Sequence, residues 1–275
     1  MDVRQKTACA IWPWGVTQPE QMVAALTEIQ PIGYQAFESV KQAIYCYDFD
    51  APRFQEVTDR FGIRAVSFYF HMSGDWKADC ATLPKELRFV KQLGIETCCL
   101  QAASNNGVKP PVERIRAATE EIRAYARIAK DAGLTFCLHP HIFTECMYED
   151  EIDYMMQHLA PDELAMAPDT AHLMAGGSDP VAVMERYKER IGFMHLKDFE
   201  PSAALSTRAQ EGMQVEVYKC FAELGAGVID FAKVFAILKS VDFNGYLCNE
   251  LDTAPVSNAA SAAVNYRYVT ERYGA

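Results

Sequence analysis

No apolar run in this chain approaches the roughly 18 residues that a bilayer-spanning helix needs, so a helical membrane protein is not expected. Positive charge is also scarce. Lys and Arg total 26 against 37 Asp and Glu, a formal net charge of −11, and an acidic surface of this kind is unsuited to nucleic acid. A sugar or another small neutral substrate fits better. No Cys-x-x-Cys spacing occurs among the nine cysteines, and several (Cys98, Cys99, Cys137, Cys248) lie in apolar runs, where they read as small buried hydrophobes. The start Met1-Asp2-Val3-Arg4-Gln5-Lys6 lacks an apolar signal core, and the expected compartment is a reduced cytoplasm. No low-complexity linker divides the chain, and no Gly-rich phosphate turn follows the first strand-like segment, where Trp12-Pro13-Trp14-Gly15 stands instead.

What the chain does contain is a regular alternation. Strand-like runs fall at Thr7 to Ile11, Gly33 to Phe37, Arg64 to Phe70, Glu96 to Leu100, Leu134 to Leu138, Leu164 to Ala167, Gly192 to Leu196 and Tyr246 to Asn249. Amphipathic stretches separate them: Pro19 to Ile29, Pro52 to Phe61, Pro84 to Leu93, Val112 to Ala132, Glu149 to Leu159, Pro180 to Arg190, Ile229 to Ser240 and Ser257 to Tyr273. Eight strands alternating with eight helices over this length predict an α/β fold, a single-domain (β/α)8 TIM barrel spanning 1–275. A doubly wound open sheet is the structural alternative. The connection 199–228 is longer than an ordinary βα loop and is expected over the barrel mouth, as a lid, a partner surface or a plain insertion.

The predicted strand ends carry the chemistry. Glu38, His71, Gln101, His139, Asp169, His195 and Glu250 stand at or one position past a strand's C-terminal end, the edge where parallel α/β folds bind ligands. Five of the six histidines (His71, His139, His141, His172, His195) fall at or just beyond such ends. One such residue alone reads as a cap or turn former. Burying His139, Asp169, His195 and Glu250 together is costly unless a cation neutralises them, and nitrogen and oxygen donors favour Mn2+, Zn2+, Co2+ or Fe2+ over Mg2+. His139 and His141 flank Pro140 and share a facing if the chain stays extended, so that one binds metal while the other meets substrate. His172 reaches the same mouth. Lys197 follows His195 by two and is read either as a holder of a substrate oxygen or as an ion-pair partner of Asp198 or Glu200.

At these residues the chain resembles the xylose isomerase-like TIM barrel superfamily of sugar isomerases and epimerases, inosose dehydratases and endonuclease IV-type repair enzymes. The resemblance is carried by Pro168-Asp169-Thr170-Ala171-His172, Met194-His195-Leu196-Lys197-Asp198, the segment Glu223 to Phe231, and Gly245 to Asp252, with a weaker match at Gly33 to Glu38. It implies a divalent metal, manganese foremost, on Asp169, His195 and Glu250, with His139 where the family usually has a glutamate. Leu138-His139-Pro140-His141 is similar to a segment of the inosose dehydratases, and Trp12-Pro13-Trp14-Gly15 to lyases that split 3-keto-glycosides. The implied chemistry is enolisation of a keto-sugar or keto-polyol. His139, His141, Glu250 and Lys197 are the candidate catalytic residues; Trp14, Glu38, His71, Gln101 and His172 are the candidate substrate contacts.

Replacing a glutamate by His139 suits β-elimination, in which one group takes a proton and another gives one, better than epimerisation, which wants a base on each face. The expected activity is therefore a lyase or dehydratase, with an isomerase or epimerase as the alternative. A non-catalytic barrel subunit and a DNA-repair enzyme rank lower, the latter because of the acidic charge. Exposed barrel faces leave room for a homo-oligomer or a small partner subunit.

Overall fold

The computed structural model describes residues 2–201, 217–252 and 254–274. Among them, eight parallel strands form one sheet: β1 (Thr7–Ala10), β2 (Ala36–Val40), β3 (Arg64–His71), β4 (Thr97–Gln101), β5 (Thr135–Leu138), β6 (Ala165–Met166), β7 (Met194–Leu196) and β10 (Leu247–Asn249). Their order is β6-β5-β4-β3-β2-β1-β10-β7, and parallel bridges Met166 to Ile191 and Asp169 to His195 bring the two ends together. The sheet therefore closes on itself as the expected (β/α)8 barrel. A two-stranded antiparallel ribbon, β8 (Asp198–Phe199) with β9 (Phe221–Ala222), stands apart from it.

Alternation along the strands sorts side chains into two layers. Outward-facing Phe37, Phe68 and Leu100 pack with the helices, where Phe54, Phe68 and Phe89 meet edge to face or tilted at 5.5–5.9 Å. Deleting a fully buried ring such as Phe54 costs about 3–5 kcal/mol in comparable cores. The barrel interior is lined by Ala8, Ala10, Ala36, Cys99, Cys137, Ala167 and Cys248 together with the larger Val66, Tyr69 and Phe193; the small members leave space for polar groups at the C-terminal rim.

Two boundaries differ from the sequence reading in an informative way. The helix expected over Pro84 to Leu93 runs Trp76–Gln92 with Pro84 inside it, because Asp75 caps its N-terminus by accepting from the Ala78 amide. The second strand lies three residues further on than expected, at Ala36–Val40, since Gly33 takes a left-handed conformation (φ 113°) to end a 3-10 turn.

Of the long connection 199–228, residues 202–216 lie outside the described part. Its two ends are tied by Asp198, whose carboxylate accepts from the backbone amides of Phe199, Gly225, Gly227 and Ile229 at 2.8–3.1 Å. A Cβ on Gly227 would stand 2.4 Å from the Asp198 Oδ1, so only glycine lets the returning chain pass this carboxylate.

Candidate metal centre at the barrel mouth

Asp169, His139, His195 and Glu250 converge as expected, each placed by a different element. Asp169 follows β6 and caps the short helix Thr170–Ala175: its Oδ1 accepts from the amides of Ala171 and His172, both at 2.8 Å. That division leaves Oδ2 buried and without a partner. His139 follows β5, anchored by its own amide on the Leu100 carbonyl, and neither ring nitrogen has a hydrogen-bond partner. Its ring centroid lies 4.6 Å from that of His195. Glu250 follows β10, with Oε1 accepting from Lys197 at 2.6 Å and Oε2 unpartnered.

The decisive contacts are those of His195 with two carboxylates. His195 Nε2 meets the Glu38 Oε2 at 2.5 Å, and because a carboxylate can only accept, the ring hydrogen belongs on Nε2. The other nitrogen, Nδ1, then presents a lone pair 3.0 Å from the Glu250 Oε2, with neither atom in hydrogen-bond geometry. Two lone pairs at that distance in a buried site repel unless a positive charge sits beside them. That charge is either a hydrogen or a metal ion: even with burial opposing it, the nearby Glu38 carboxylate raises the proton affinity of His195 well above the ordinary imidazole range, so a metal would displace a hydrogen from Nδ1. Ligand atoms of His139, Asp169 and His195 all lie within 4.8 Å of one another, as do those of Asp169, His172 and Glu250. The donor set thus suits a divalent ion held by two nitrogens and two carboxylate oxygens. Cys248 lies close to Glu38 and His195, but burial pushes its thiol well above the normal range and keeps it protonated.

Around these four stands a ring of further imidazoles. His141 Nδ1 donates to the Ile142 carbonyl at 2.6 Å, which leaves Nε2 as a free base, and burial lowers the residue to about 4 so that it is neutral. His172 stacks on it at 3.7 Å. Lys197, fully buried, contacts Glu250 at 2.6 Å, Asp252 at 2.7 Å and the His172 Nε2 at 3.3 Å. Those three acceptors use all three ammonium hydrogens, and Asp169 Oδ2 lies 3.6 Å away. Burial disfavours the charge, but Asp169, Asp252 and Glu250 together hold it well above its usual range.

The remaining candidate residues are placed as follows. Lys197 pairs with Glu250 and Asp252, not with Asp198 or Glu200, and has no hydrogen left over for a substrate oxygen. Asp198 is occupied by backbone amides. Glu38, expected at the substrate, is fully buried between His195 and Ser67. Trp14, also a candidate substrate contact, donates its indole hydrogen to Glu28 at 2.8 Å and lines a cavity with Ala10, Asn249 and Glu250. Trp12 packs on the histidine cluster, 5.5 Å from Tyr69 and 6.0 Å from His195. Parity with inward-facing Ala8 and Ala10 picks out Trp12, a signal present in the sequence. Gln101 accepts from the Tyr69 hydroxyl at 2.6 Å, and Tyr69 packs edge-on against His139 at 5.0 Å. His71 sits on the rim near Gln42 at 3.3 Å, and burial, helped by Lys41, lowers it below the ordinary imidazole range. Asp252 and Tyr69 were both missed. Tyr69 lies two residues before His71 on the same strand, and Asp252 two residues after Glu250, past the end of β10.

Comparison with known proteins agrees with this architecture. A family described as the xylose isomerase-like TIM barrel matches residues 26–268. The inosose dehydratase of Geobacillus kaustophilus (strain HTA426) is 34% identical over 132 residues, 47% of this chain and 43% of that protein. The chain spans about half the length of the curated relatives it matches. Among solved structures, L-ribulose 3-epimerase superposes with a TM-score of 0.75 at 14% identity, covering 98% of this chain and 94% of that one. The IolI protein with a bound zinc atom superposes at 0.76 and 14% identity, covering 98% of both. Among the described residues, no helix is long and apolar enough to cross a membrane.

Proposed function

The chain belongs to the xylose isomerase-like TIM barrel family, and from that premise we propose that it is a divalent-metal-dependent lyase that dehydrates a keto-polyol or keto-sugar. The observation that carries this reading is the set of buried, unpartnered acceptor atoms on His139, Asp169, His195 and Glu250, with the free Nε2 of neutral His141 nearby. A divalent ion held by those four residues would supply Lewis-acid polarisation of the substrate carbonyl. His141 takes the proton from the carbon next to that carbonyl, and its Nδ1 bond to the Ile142 carbonyl keeps the accepting nitrogen turned inward. His172, whose Nε2 accepts from Lys197, carries its own hydrogen on Nδ1, an unpartnered buried donor suited to the departing oxygen; as Nδ1 gives that hydrogen up, the Lys197 ammonium passes one to Nε2 and the ring stays neutral. Lys197 positions Glu250 and Asp252 by occupying one oxygen of each. Gln101, His71, Tyr69 and Trp12 form the wall against which a ring substrate lies.

The half-length match to inosose dehydratases supports dehydration of a cyclic polyol ketone. Manganese is the proposed ion; zinc, present in the IolI structure, is the competing one, and metal analysis of the purified protein decides. Nine free cysteines support a reducing, cytoplasmic setting. The test is incubation of the metal-loaded protein with keto-inositols and keto-sugars in D2O, followed by mass spectrometry. Loss of water with appearance of enone absorbance is expected. Deuterium uptake into a substrate that keeps all its oxygens would establish an isomerase or epimerase instead.

A further inference from the structure

We propose that Glu38 and Ser67 form a positioning relay for His195, two residues outside the metal-ligand set that dictate which ring nitrogen faces the cation. The inference rests on the reading of His195 as a metal ligand.

Its basis is a break in strand register. Between β2 and β3 the pairing runs Ala36 to Arg64 and Phe37 to Ala65, then shifts so that Glu38 stands opposite Ser67 and Ser39 opposite Phe68. Val66 is the skipped residue, and Val66 and Ser67 both face the barrel interior although they are adjacent in sequence. Bulges of this kind re-aim a side chain next to functional sites. Without the shift Val66 would oppose Glu38 and offer it no donor. With it, the Ser67 hydroxyl donates to the Glu38 Oε1 at 2.6 Å, while the Oε2 receives His195 at 2.5 Å. All three side chains are fully buried, so no water competes for either oxygen.

The alternative, a second cation between Glu38, His195 and Cys248, is excluded by distance. Oxygen and nitrogen 2.5 Å apart leave no space for an ion bonded at about 2 Å to each, whose donors would stand about 3 Å or more from one another. A hydrogen fits that gap. With the hydrogen fixed on Nε2, the lone pair of His195 points along Nδ1 toward Asp169, His139 and Glu250, and the carboxylate behind the ring makes that lone pair a stronger donor. Ser67 in turn prevents Glu38 from rotating its second oxygen into the ring's place. The relay thus separates two tasks: the strand end supplies the ligand, and the neighbouring strands supply its orientation and basicity.

Zinc is the probe for the test, measured by competition with a chromophoric chelator and by nitrogen-proton correlation spectra of histidine-labelled, zinc-loaded protein. Glu38→Gln is expected to weaken zinc binding roughly 10- to 100-fold and to move the Nε2 hydrogen signal of His195 upfield from a strongly deshielded position. Ser67→Ala is expected to shift both in the same direction by less. Wild-type zinc affinity and an unmoved His195 signal in Glu38→Gln, in a preparation where Asp169→Asn has lost zinc, would overturn the relay while leaving the metal site intact. If Asp169→Asn binds zinc as tightly as the wild type, the metal reading itself fails and the relay falls with it. Should Glu38→Gln not fold, Ser67→Ala carries the same test: unchanged affinity and an unmoved signal overturn the proposal.

Discussion

His141 and His172 stack ring against ring at 3.7 Å with an interplanar angle of 31°, although they come from different strand ends and neither belongs to the same hydrogen-bonded chain. His141 is fixed by the Ile142 carbonyl and His172 by the Lys197 ammonium, so the pair presents an accepting nitrogen on one ring and a donating nitrogen on the other. That complementarity is what an elimination requires.

Replacing His141 by Ala should therefore lower kcat by about 10²- to 10⁴-fold while leaving metal content at the wild-type level. Elemental analysis beside steady-state kinetics separates the two effects. Loss of metal in parallel with activity would place His141 among the ligands and remove it from proton transfer.

Asp169→Asn should abolish metal retention without unfolding the protein, because an asparagine oxygen can still cap the helix Thr170–Ala175. Glu250→Gln should do the same. Metal content after dialysis reads the first effect and far-ultraviolet circular dichroism the second; a fully metallated Asp169→Asn protein would refute the assignment.

His139→Glu restores the residue usual at this position and should keep the metal, whereas His139→Ala should lose most of its affinity, by about 10-fold or more. The comparison is made by zinc titration. Equal affinities for the alanine variant and the wild type would show that both unpartnered nitrogens of His139 serve substrate alone.

Trp12→Ala should raise KM for any ring substrate, and Trp14→Phe should not, since the Trp14 indole is spent on Glu28. A KM effect confined to Trp14 would reverse their roles.

Asp198→Ala removes the acceptor for four backbone amides at once and is expected to cost about 3 kcal/mol or more, read from the urea midpoint. A change below about 1 kcal/mol would mean that water replaces the carboxylate at those amides.

The barrel was legible in the sequence because its strands and helices alternate with their proper periods, and the strand-end residues were legible because charged or imidazole groups there interrupt otherwise apolar runs. Less legible were residues whose role depends on a partner far along the chain. Glu38 looked like any other rim carboxylate until the register shift opposite Val66 set Ser67 beneath it and His195 beside it. Lys197 was open between a substrate oxygen and an ion pair with Asp198 or Glu200, and its partners Glu250 and Asp252 emerge only from three-dimensional neighbours. Trp12 and Trp14 are distinguished by strand parity, but parity is readable only once the end of β1 at Ala10 is fixed.

The two oxygens of Asp169 have separate employments, one in the first turn of a helix and one at the site. Because the helix turn is part of the barrel's own closure, the ligand is held in place before any ion arrives. The ordering entropy of this group is thus met during folding rather than during metal uptake, so the apoprotein should already hold the Thr170–Ala175 helix and take up its ion as a rigid receptor.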